Sequence, residues 1–493
     1  MKAFAVATTT LSLLAGTIWA AESNLTTPLA SRIILPSNFK PPQVFKNVNL
    51  LRSLNLEKGY PRESINVVIQ NVDSKPQDEY FLPFEADVVG KIAGLEVGDK
   101  KEPEKGAFDV ELVEYDTYSS TQFYRIRLPQ PLKPSGQQTI SINYAIISAL
   151  TPLPARIQQM DKQYLVHTFS AYSPSAYPTD NQKTKVKFGS TEIPEYTKIS
   201  SFPEKQGSTF TYGPFPSIPA GASEPVSVRY EFTKPVIHAT LLQRDIEVSH
   251  WGGNVATEER YWLTNLGAHL SHPFSRVSWT TTAYYNPSTS AIRELRHPLR
   301  AGALNPYFTD DIGNVSTSRF RSGVREANID LKPRYPVFGG WNYSFRVGWD
   351  ADVKPFLRTV KGGNTHILRV PFLEALKMPE GVSYDRVEVR VILPEGASNV
   401  KYEVPVSLIS ANISTHRTFM DTVGRTTLEL TALNVVDDMR EKQLLVTYDA
   451  SLSAMLRKPL TIFAGFLTVF ATAWALGRLD ITIGNAKVKG LSS

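Results

Sequence analysis

The acidic tripeptide Asp350-Ala351-Asp352 is the clearest candidate for chemistry in this sequence of 493 residues. Its D-x-D spacing matches the motif with which many nucleotide-sugar transferases hold a divalent cation on a diphosphate, and two carboxylates on a turn suit that role. The motif is weak evidence, because a chain with this aspartate content contains about one such tripeptide by chance. Those enzymes also need an α/β nucleotide-binding sheet, and no stretch of this sequence alternates strand with helix. We therefore predict that the motif is not catalytic.

The eight histidines are the next candidates, and they are scattered. Only His269 and His272 lie close together, and Pro273 disfavours a helix that would bring both to one face. The sequence also contains no H-E-x-x-H, G-x-S-x-G, Walker or G-x-G-x-x-G motif. We predict no catalytic residue, no metal site and no cofactor.

Four asparagines stand in N-x-S/T sequons and are the candidate N-glycosylation sites: Asn24, Asn314, Asn342 and Asn412. A further match, Asn286-Pro287-Ser288, is excluded by its proline. About three sequons are expected by chance, so their number decides nothing. Whether these asparagines are glycosylated depends on whether the chain enters a secretory compartment.

The composition predicts two to three packed domains without disulfides, at roughly 150 residues each. The chain has 24 Phe, 21 Tyr and 7 Trp, which supply ample apolar surface for cores. Its lack of cysteine excludes disulfide scaffolds, thiol catalysis and Cys-ligated metal centres. The net charge of +6 comes without a run of Lys or Arg, so no nucleic-acid partner is predicted.

The first apolar segment lies at the N-terminus. Residues 1–20 carry Lys2 as their only charge, followed by an apolar stretch and then small residues. This pattern is typical of a secretory signal peptide, here cleaved after Ala20. An uncleaved anchor is the alternative, and the short, Thr-interrupted stretch disfavours it.

The second apolar segment, Pro459 to Gly477, lies near the C-terminus and contains no charged residue. Nineteen residues of helix are roughly 28 Å long, close to the thickness of a thin bilayer. A buried helix of a soluble protein is disfavoured, because apolar side chains surround the whole axis. We predict a transmembrane helix over 459–477 and a short cytosolic tail over 478–493. The signal peptide would place the N-terminus in the lumen.

One face of this helix carries small and hydroxyl residues. Thr461, Gly465, Thr468 and Thr472 follow i, i+4, i+7, i+11 spacing and therefore share a side. In lipid, small residues let helix backbones approach closely, so these four form a candidate helix-packing face. Small residues are also frequent in membrane helices generally, and both interpretations stay open.

Short alternating runs between the two apolar segments predict β-strands. Ile140–Ile146, Val226–Phe232 and Val387–Val391 place β-branched or aromatic residues at every second position. Pro- and Gly-containing turns separate such runs, and the best helix candidate, Thr289 to Arg296, is short.

The predicted fold class is mainly β. We expect two tandem antiparallel β-sandwich-like luminal domains followed by the C-terminal transmembrane helix. The domains are placed at 21–235 and 236–452, because a clean strand pattern ends at Phe232 and Thr233–Pro235 follows it.

Seven stretches resemble the ribophorin I family, a non-catalytic subunit of the oligosaccharyltransferase complex of the endoplasmic reticulum. They occur in the family's order and span about half of the chain. The stretches are Tyr212-Gly213-Pro214-Phe215, Ile246-Glu247-Val248-Ser249-His250-Trp251-Gly252, Pro273-Phe274-Ser275-Arg276, Asp311-Ile312-Gly313-Asn314-Val315-Ser316-Thr317-Ser318, Pro333-Arg334-Tyr335-Pro336-Val337-Phe338-Gly339-Gly340-Trp341, Ile392-Leu393-Pro394-Glu395-Gly396-Ala397 and Arg478-Leu479-Asp480.

The resemblance implies membership of a complex that transfers a preassembled oligosaccharide from dolichol diphosphate to sequon asparagines of nascent proteins. In the family a different, multi-spanning subunit is catalytic, so an accessory protein that supports assembly and substrate presentation is implied. The implied partners are the other oligosaccharyltransferase subunits, the membrane and the nascent polypeptide. The implied location is the endoplasmic reticulum membrane, as a single-pass type I protein.

Two other classes of protein fit parts of the pattern. A single-pass cell-surface β-sandwich receptor or adhesion protein would share the signal peptide, the β region, the sequons and the helix. A membrane-anchored luminal enzyme acting alone is the third possibility.

Two aromatic motifs inside the matching stretches have two interpretations, as interaction surfaces or as structural corners. They are His250-Trp251 and Phe338 to Trp341. Large aromatic residues are buried on average, and paired glycines permit a sharp bend beside them. We predict structural corners.

Overall fold

The protein was analysed as a computed structural model that describes residues 33–34, 39–102, 106–114, 120–285, 287–361, 363–404, 406–418 and 421–478. The predicted signal peptide, Asn24 and residues 479–493 of the predicted tail lie outside this part of the chain.

Sixteen of the described strands and one short helix precede residue 235. They are β1 Ile33–Ile34, β2 Phe45–Leu56, β3 Arg62–Asn71, β4 Gln77–Glu85, α1 Ala86–Val89, β5 Ile92–Asp99, β6 Asp109–Glu114, β7 Thr121–Leu132, β8 Gln137–Ile146, β9 Thr151–Pro152, β10 Arg156–Ile157, β11 Tyr164–Ser170, β12 Thr179–Phe188, β13 Glu195–Tyr196, β14 Glu204–Gln206, β15 Thr209–Ile218 and β16 Pro225–Glu231.

Fifteen strands, three α-helices and one 3₁₀ helix follow. They are β17 Ile237–Ser249, β18 Asn254–Asn265, β19 His269–Leu270, α2 Arg276–Ala283, β20 Leu295–Arg300, β21 Leu304–Asp310, β22 Arg319–Ser322, β23 Glu326–Leu331, β24 Asn342–Asp352, β25 Leu357–Thr359, β26 Thr365–Pro371, β27 Val382–Glu395, β28 Ser398–Glu403, β29 Ser410–His416, β30 Arg425–Val436, the 3₁₀ helix Asp437–Glu441, β31 Gln443–Asp449, α3 Leu452–Met455 and α4 Arg457–Gly477.

The mainly β prediction, with one apolar C-terminal helix, is confirmed. Two of the three predicted strands, Ile140–Ile146 and Val387–Val391, lie inside β8 and β27, and the third coincides with β16 except for its last residue. The predicted helix over Thr289–Arg296 is wrong. Ile292 in that segment instead pairs with Val337, and the next strand begins at Leu295.

The two halves of the chain repeat one sheet topology. The large sheet has the order β5-β8-β3-β2-β12-β15-β14 in the first half and β21-β24-β18-β17-β27-β30-β29 in the second. The small sheets also correspond, β4-β7-β6 to β20-β23-β22 and β13-β16-β11-β9 to β28-β31-β26-β25. Fourteen strands in each half therefore match in chain order, and only β1, β10 and β19 fall outside the repeat.

Most strand pairs are antiparallel, as predicted, but the centre of each large sheet is not. There β2 pairs with β12, and β17 with β27, in parallel. Parallel neighbours need a long connection. The intervening segments supply it, and they contain the three matching strands of one small sheet and two strands of the other. Two short pairs, β1–β6 and β10–β19, are also parallel.

A buried arginine lies on the first strand of each large sheet. Arg52 forms two hydrogen bonds to the carboxylate of Glu63 on the next strand, at 2.7 and 2.8 Å. Its other terminal nitrogen, Nη1, donates to the carbonyl oxygens of Ser170 and Tyr172, at and just beyond the end of β11. Both partners of the ion pair are only 3% exposed. The pair therefore ties the large sheet to one small sheet.

The second half contains an equivalent cluster around Arg244. This guanidinium pairs with Glu259 on the next strand and, at 3.0 Å, with Glu374 just after β26. His297 on β20 lies 2.6 Å from the same Glu259 carboxylate. Burial alone would raise the pKa of Glu259, but the charges of His297 and Arg244 lower it to about 2.

The halves are joined by a continuous interface. Apolar residues of the first half, including Tyr60, Ala93 and Ile147, belong to the core of the second. Around them, Lys58 pairs with Asp437 at 3.0 Å and with Asp438 at 2.7 Å. The parallel bridge between β10 and β19 adds a second connection.

We predict that Arg244→Met lowers the free energy of unfolding by about 3–5 kcal/mol, because Glu259 and Glu374 stay buried without a cationic partner. Denaturant unfolding of the purified chain in detergent measures this. The control is Arg346→Met, on the exposed face of β24, where we expect a change within about 0.5 kcal/mol. Equal stability of the two variants would contradict the role of the cluster.

The same cluster has a pH dependence with a definite sign. The pKa of Glu259 is lower in the folded chain than in the unfolded one. Above about pH 4.3 this carboxylate therefore makes its full contribution to the free energy of unfolding. That contribution is lost as the pH falls toward 2.

Candidate functional site

The structure places Asp350 and Asp352 at the end of β24, in a sheet and not on a metal-binding turn. Asp350 accepts a hydrogen bond from the Asn305 amide at 3.2 Å. Asp352 has a side chain that is 57% exposed and lies 4.0 Å from Lys354. Among the residues that the structure describes, no three His, Asp or Glu side chains group so as to hold a metal ion.

The two neighbouring histidines have separate environments. His269 lies in β19, where its backbone pairs with β10 and its ring fills the space beside Gly340. The Nδ1 atom of His272 lies 2.9 Å from the hydroxyl of Ser271 at an exposed position. The structure therefore does not bring these histidines into one site.

Three of the four sequon asparagines fall in the described region, and all are exposed: Asn314, Asn342 and Asn412. Asn342 begins β24, and its side-chain oxygen accepts a hydrogen bond from the Thr264 hydroxyl at 2.8 Å. Asn412 lies on β29, the edge strand of the second large sheet. Glycosylation of these asparagines stays a prediction.

The corner around Phe338 and Trp341 is a packed structural feature, as predicted. Phe338 is fully buried, and its ring lies 5.7 Å from that of Trp341. A Cβ at Gly339 would lie 2.2 Å from the carbonyl oxygen of Ala268, so no larger residue fits there. Sequence reasoning missed that this corner supports α2, whose Trp279 ring packs on Phe338 at 5.5 Å.

The helix α4 begins two residues before the predicted span and ends at the predicted residue, Gly477. It is long and apolar enough to cross a membrane, judged by length and composition, and none of its residues is buried. The aromatic side chains opposite the predicted packing face are also exposed: Phe463, Phe470 and Trp474.

The four residues of the predicted packing face lie along one side of α4, and their packing against another helix stays a prediction. The hydroxyls of Thr461, Thr468 and Thr472 each donate to a carbonyl oxygen one turn earlier, at 2.7–2.9 Å. Their protons are therefore satisfied within the helix, while their oxygens keep lone pairs that can accept hydrogen bonds. Apart from its two chain neighbours and the helix backbone, no atom of the described residues lies within 4 Å of the position a Cβ on Gly465 would take.

The junction between α4 and the β region was not predicted. The indole N–H of Trp251, in the turn between β17 and β18, donates to the carbonyl oxygen of Met455 at 2.6 Å. A Cβ at Gly396 would lie 2.7 Å from that of Ala454, so α3 packs directly on the turn after β27. The prediction of a structural corner is right for this contact. The expected burial of the tryptophan is wrong, because Trp251 is 64% exposed.

An ion pair fixes the first turn of α4. Lys458 Nζ lies 2.6 Å from the carboxylate of Asp421, whose side chain is fully buried. Asp421 also accepts hydrogen bonds from the backbone N–H and hydroxyl of Thr418. Burial would raise the pKa of Asp421, but Lys458, Thr418 and Arg425 together lower it. The only signal in the sequence was the basic flank of the helix, which does not reveal its partner.

Comparison with the sequences of known proteins identifies one family. The sequence matches the family model for Ribophorin I over residues 45–477. A Schizosaccharomyces pombe relative is 30% identical over 437 residues, which cover 87% of this chain and 94% of that protein. A Caenorhabditis elegans relative is 31% identical over 447 residues, 90% of this chain and 74% of that protein. Both are named dolichyl-diphosphooligosaccharide–protein glycosyltransferase subunit 1.

Similarity to solved structures is weak. Native yeast LTA4 hydrolase aligns with a TM-score of 0.24 and 10% identity, over 38% of this chain and 29% of that protein. A likeness of this size carries no argument about function.

We predict that Asp421→Asn lowers the free energy of unfolding by about 1–3 kcal/mol, because Lys458 and Arg425 lose a buried charged partner. The matched control is Asp352→Asn at an exposed pair, where a change within about 0.5 kcal/mol is expected. Because the pKa of Asp421 is lowered by folding, the difference is present above about pH 4 and shrinks as the pH falls further. A difference that instead grows in acid would refute this assignment.

Proposed function

The chain belongs to the ribophorin I family, and we propose that it is a non-catalytic subunit of the oligosaccharyltransferase complex. That complex transfers a preassembled oligosaccharide from dolichol diphosphate to asparagines of nascent proteins. The observation that carries the proposal is the family match over residues 45–477, which includes both β halves and α4. The two relatives are named as glycosyltransferase subunits, so the comparisons do not favour a cell-surface receptor.

The contacts of the charged groups in the β region support a non-catalytic role for this chain. Two charged clusters, around Arg52 and Arg244, are buried and paired within the chain. Each joins neighbouring sheets, which is a structural use of the charged groups. We propose that the chain supports assembly of the complex and presents the nascent polypeptide, while a multi-spanning subunit carries out transfer.

We propose a single-pass type I arrangement in the membrane of the endoplasmic reticulum. The predicted signal peptide would deliver the N-terminus to the lumen, and α4 would then stop transfer. In this arrangement the exposed asparagines at 314, 342 and 412 face the compartment in which sequons are modified.

We propose two luminal domains divided near residue 235. The repeated sheet topology supports the division, since fourteen strands on each side of it match in order. The large interface between the halves means that they would move together as one body.

Affinity purification of the full chain in mild detergent tests the proposal. We expect the other oligosaccharyltransferase subunits to co-purify, and depletion of the chain to leave sequons of secreted proteins under-glycosylated. Transfer activity from this chain alone would refute a non-catalytic role.

We predict that Asp350→Ala combined with Asp352→Ala leaves sequon glycosylation nearly unchanged. Neither carboxylate belongs to a metal-holding group among the described residues. Gel-shift analysis of a glycosylated reporter in cells that carry only the variant measures this. A variant that is folded and assembled but fails to support transfer would show that these carboxylates are needed and would refute the prediction.

We predict that Gly465→Leu combined with Thr468→Leu weakens co-purification with the membrane subunits, because it fills the packing face. The variant should still insert, since it is more hydrophobic. The matched control is Ala473→Leu with Gly477→Leu, which adds similar bulk away from that face. Full recovery of the complex with the first variant would mean that α4 is only an anchor.

A further inference from the structure

The end of the second half beside α4 exposes large apolar side chains. Trp251 is 64% exposed, Leu452 is 68% exposed and Leu456 is 38% exposed. We call these three residues the membrane-proximal rim. Trp251 lies in the turn between β17 and β18, and the other two residues flank Met455 just before α4.

The position of the Trp251 ring is fixed relative to the helix. Its N–H donates to the carbonyl oxygen of Met455, two residues before α4 begins. The polar edge of the indole is thereby satisfied, while most of the ring stays uncovered. Uncharged sequence begins at Pro459, so the ring lies level with the basic residues at the start of the apolar span.

The repeat shows what happens to the same end in the first half. The turn corresponding to that of Trp251 lies between β2 and β3, and the second half covers it. There the Gly59 N–H donates to the carbonyl oxygen of Glu380 at 2.7 Å, and the neighbouring Tyr60 is only 1% exposed. In each half this turn therefore contacts a segment that lies later in the chain. In the second half, that segment is the junction with α4.

We propose that the membrane-proximal rim binds the interfacial layer of the lipid bilayer. The proposal rests on the transmembrane assignment of α4, and it adds a second attachment, through a turn about 200 residues earlier in the chain. An indole with a satisfied N–H and an exposed ring suits the boundary between headgroups and acyl chains. Leu452 and Leu456 add exposed apolar surface close in sequence to Met455, the residue that Trp251 contacts.

This attachment orients the second large sheet. Its β17–β18 end lies at the lipid surface, and β17 extends away from it through 13 residues, which is about 40 Å of strand. The opposite end, where the first half docks, is then the end farther from the membrane.

Single-cysteine labelling tests the proposal, because the chain has no native cysteine. The full chain is placed in phosphatidylcholine nanodiscs with an environment-sensitive fluorophore at one site, and nitroxide-labelled lipids serve as quenchers. The rim sites are Trp251→Cys and Leu452→Cys, and the second of these keeps the native tryptophan. The surface control is Leu433→Cys, 48% exposed near the far end of the same sheet. Phe466→Cys in the middle of α4 reports insertion.

We expect the label at Leu452, in a chain that keeps Trp251, to be quenched at least about threefold more strongly than the label at Leu433, most effectively by quenchers near the headgroups. The label in Trp251→Cys replaces the tryptophan, so it should be quenched less than the label at Leu452 but more than the label at Leu433. The label at Phe466 should respond most to quenchers deep in the acyl chains. Adding Trp251→Ala to the Leu452→Cys variant should reduce quenching at the rim.

The outcomes separate this proposal from the one on which it depends. If Phe466 is quenched while both rim labels behave like Leu433, α4 spans the membrane but the rim does not bind lipid. If Phe466 is not quenched, the transmembrane assignment itself fails. Quenching at Leu452 that is unchanged by Trp251→Ala would show that proximity to the helix, and not the tryptophan, places the rim in lipid.

Discussion

A buried arginine at the centre of each half is the constraint on which the rest of the structure depends. Arg52 and Arg244 lie on the first strands of the two large sheets, and each pairs with a glutamate on the next strand. Each also reaches the segment at the end of a strand in a small sheet, at Ser170 or at Glu374. A guanidinium can bind several acceptors in fixed directions, so it sets how the layers meet. Apolar packing alone would allow the layers to slide.

The positions of many strands can be predicted from the sequence, but the way in which the strands pair cannot. Runs such as Ile140–Ile146 show their alternation within a few residues, because each strand exposes one face. The parallel centre of each large sheet joins strands more than 120 residues apart, and no short pattern contains that information. The failed helix at Thr289–Arg296 has the same origin, because the pairing of Ile292 with Val337 overrides local preference.

The residues of the candidate site also fall into two groups, those that the sequence predicts and those whose contacts only the fold reveals. Thr461, Gly465, Thr468 and Thr472 share a face because helix periodicity is a local property, so the sequence was enough to find them. The contact between Trp251 and Met455 joins residues 204 positions apart. The partner of Lys458 is Asp421, which lies before β30 and outside the pattern of the helix. The sequence indicated a tryptophan beside two glycines, but only the fold shows which segment it meets.

The interface between the halves has a mechanical consequence. Apolar packing around Tyr60, the ion pairs of Lys58 and the β10–β19 bridge make the two halves one rigid arm, and Lys458 and Trp251 fix that arm to α4. A change of 10° in the tilt of a membrane helix is modest. At the far end of β17, about 40 Å from α4, it becomes a displacement of roughly 7 Å. The two halves would therefore act as a lever that turns a small change in the tilt of α4 into a much larger movement of the first half.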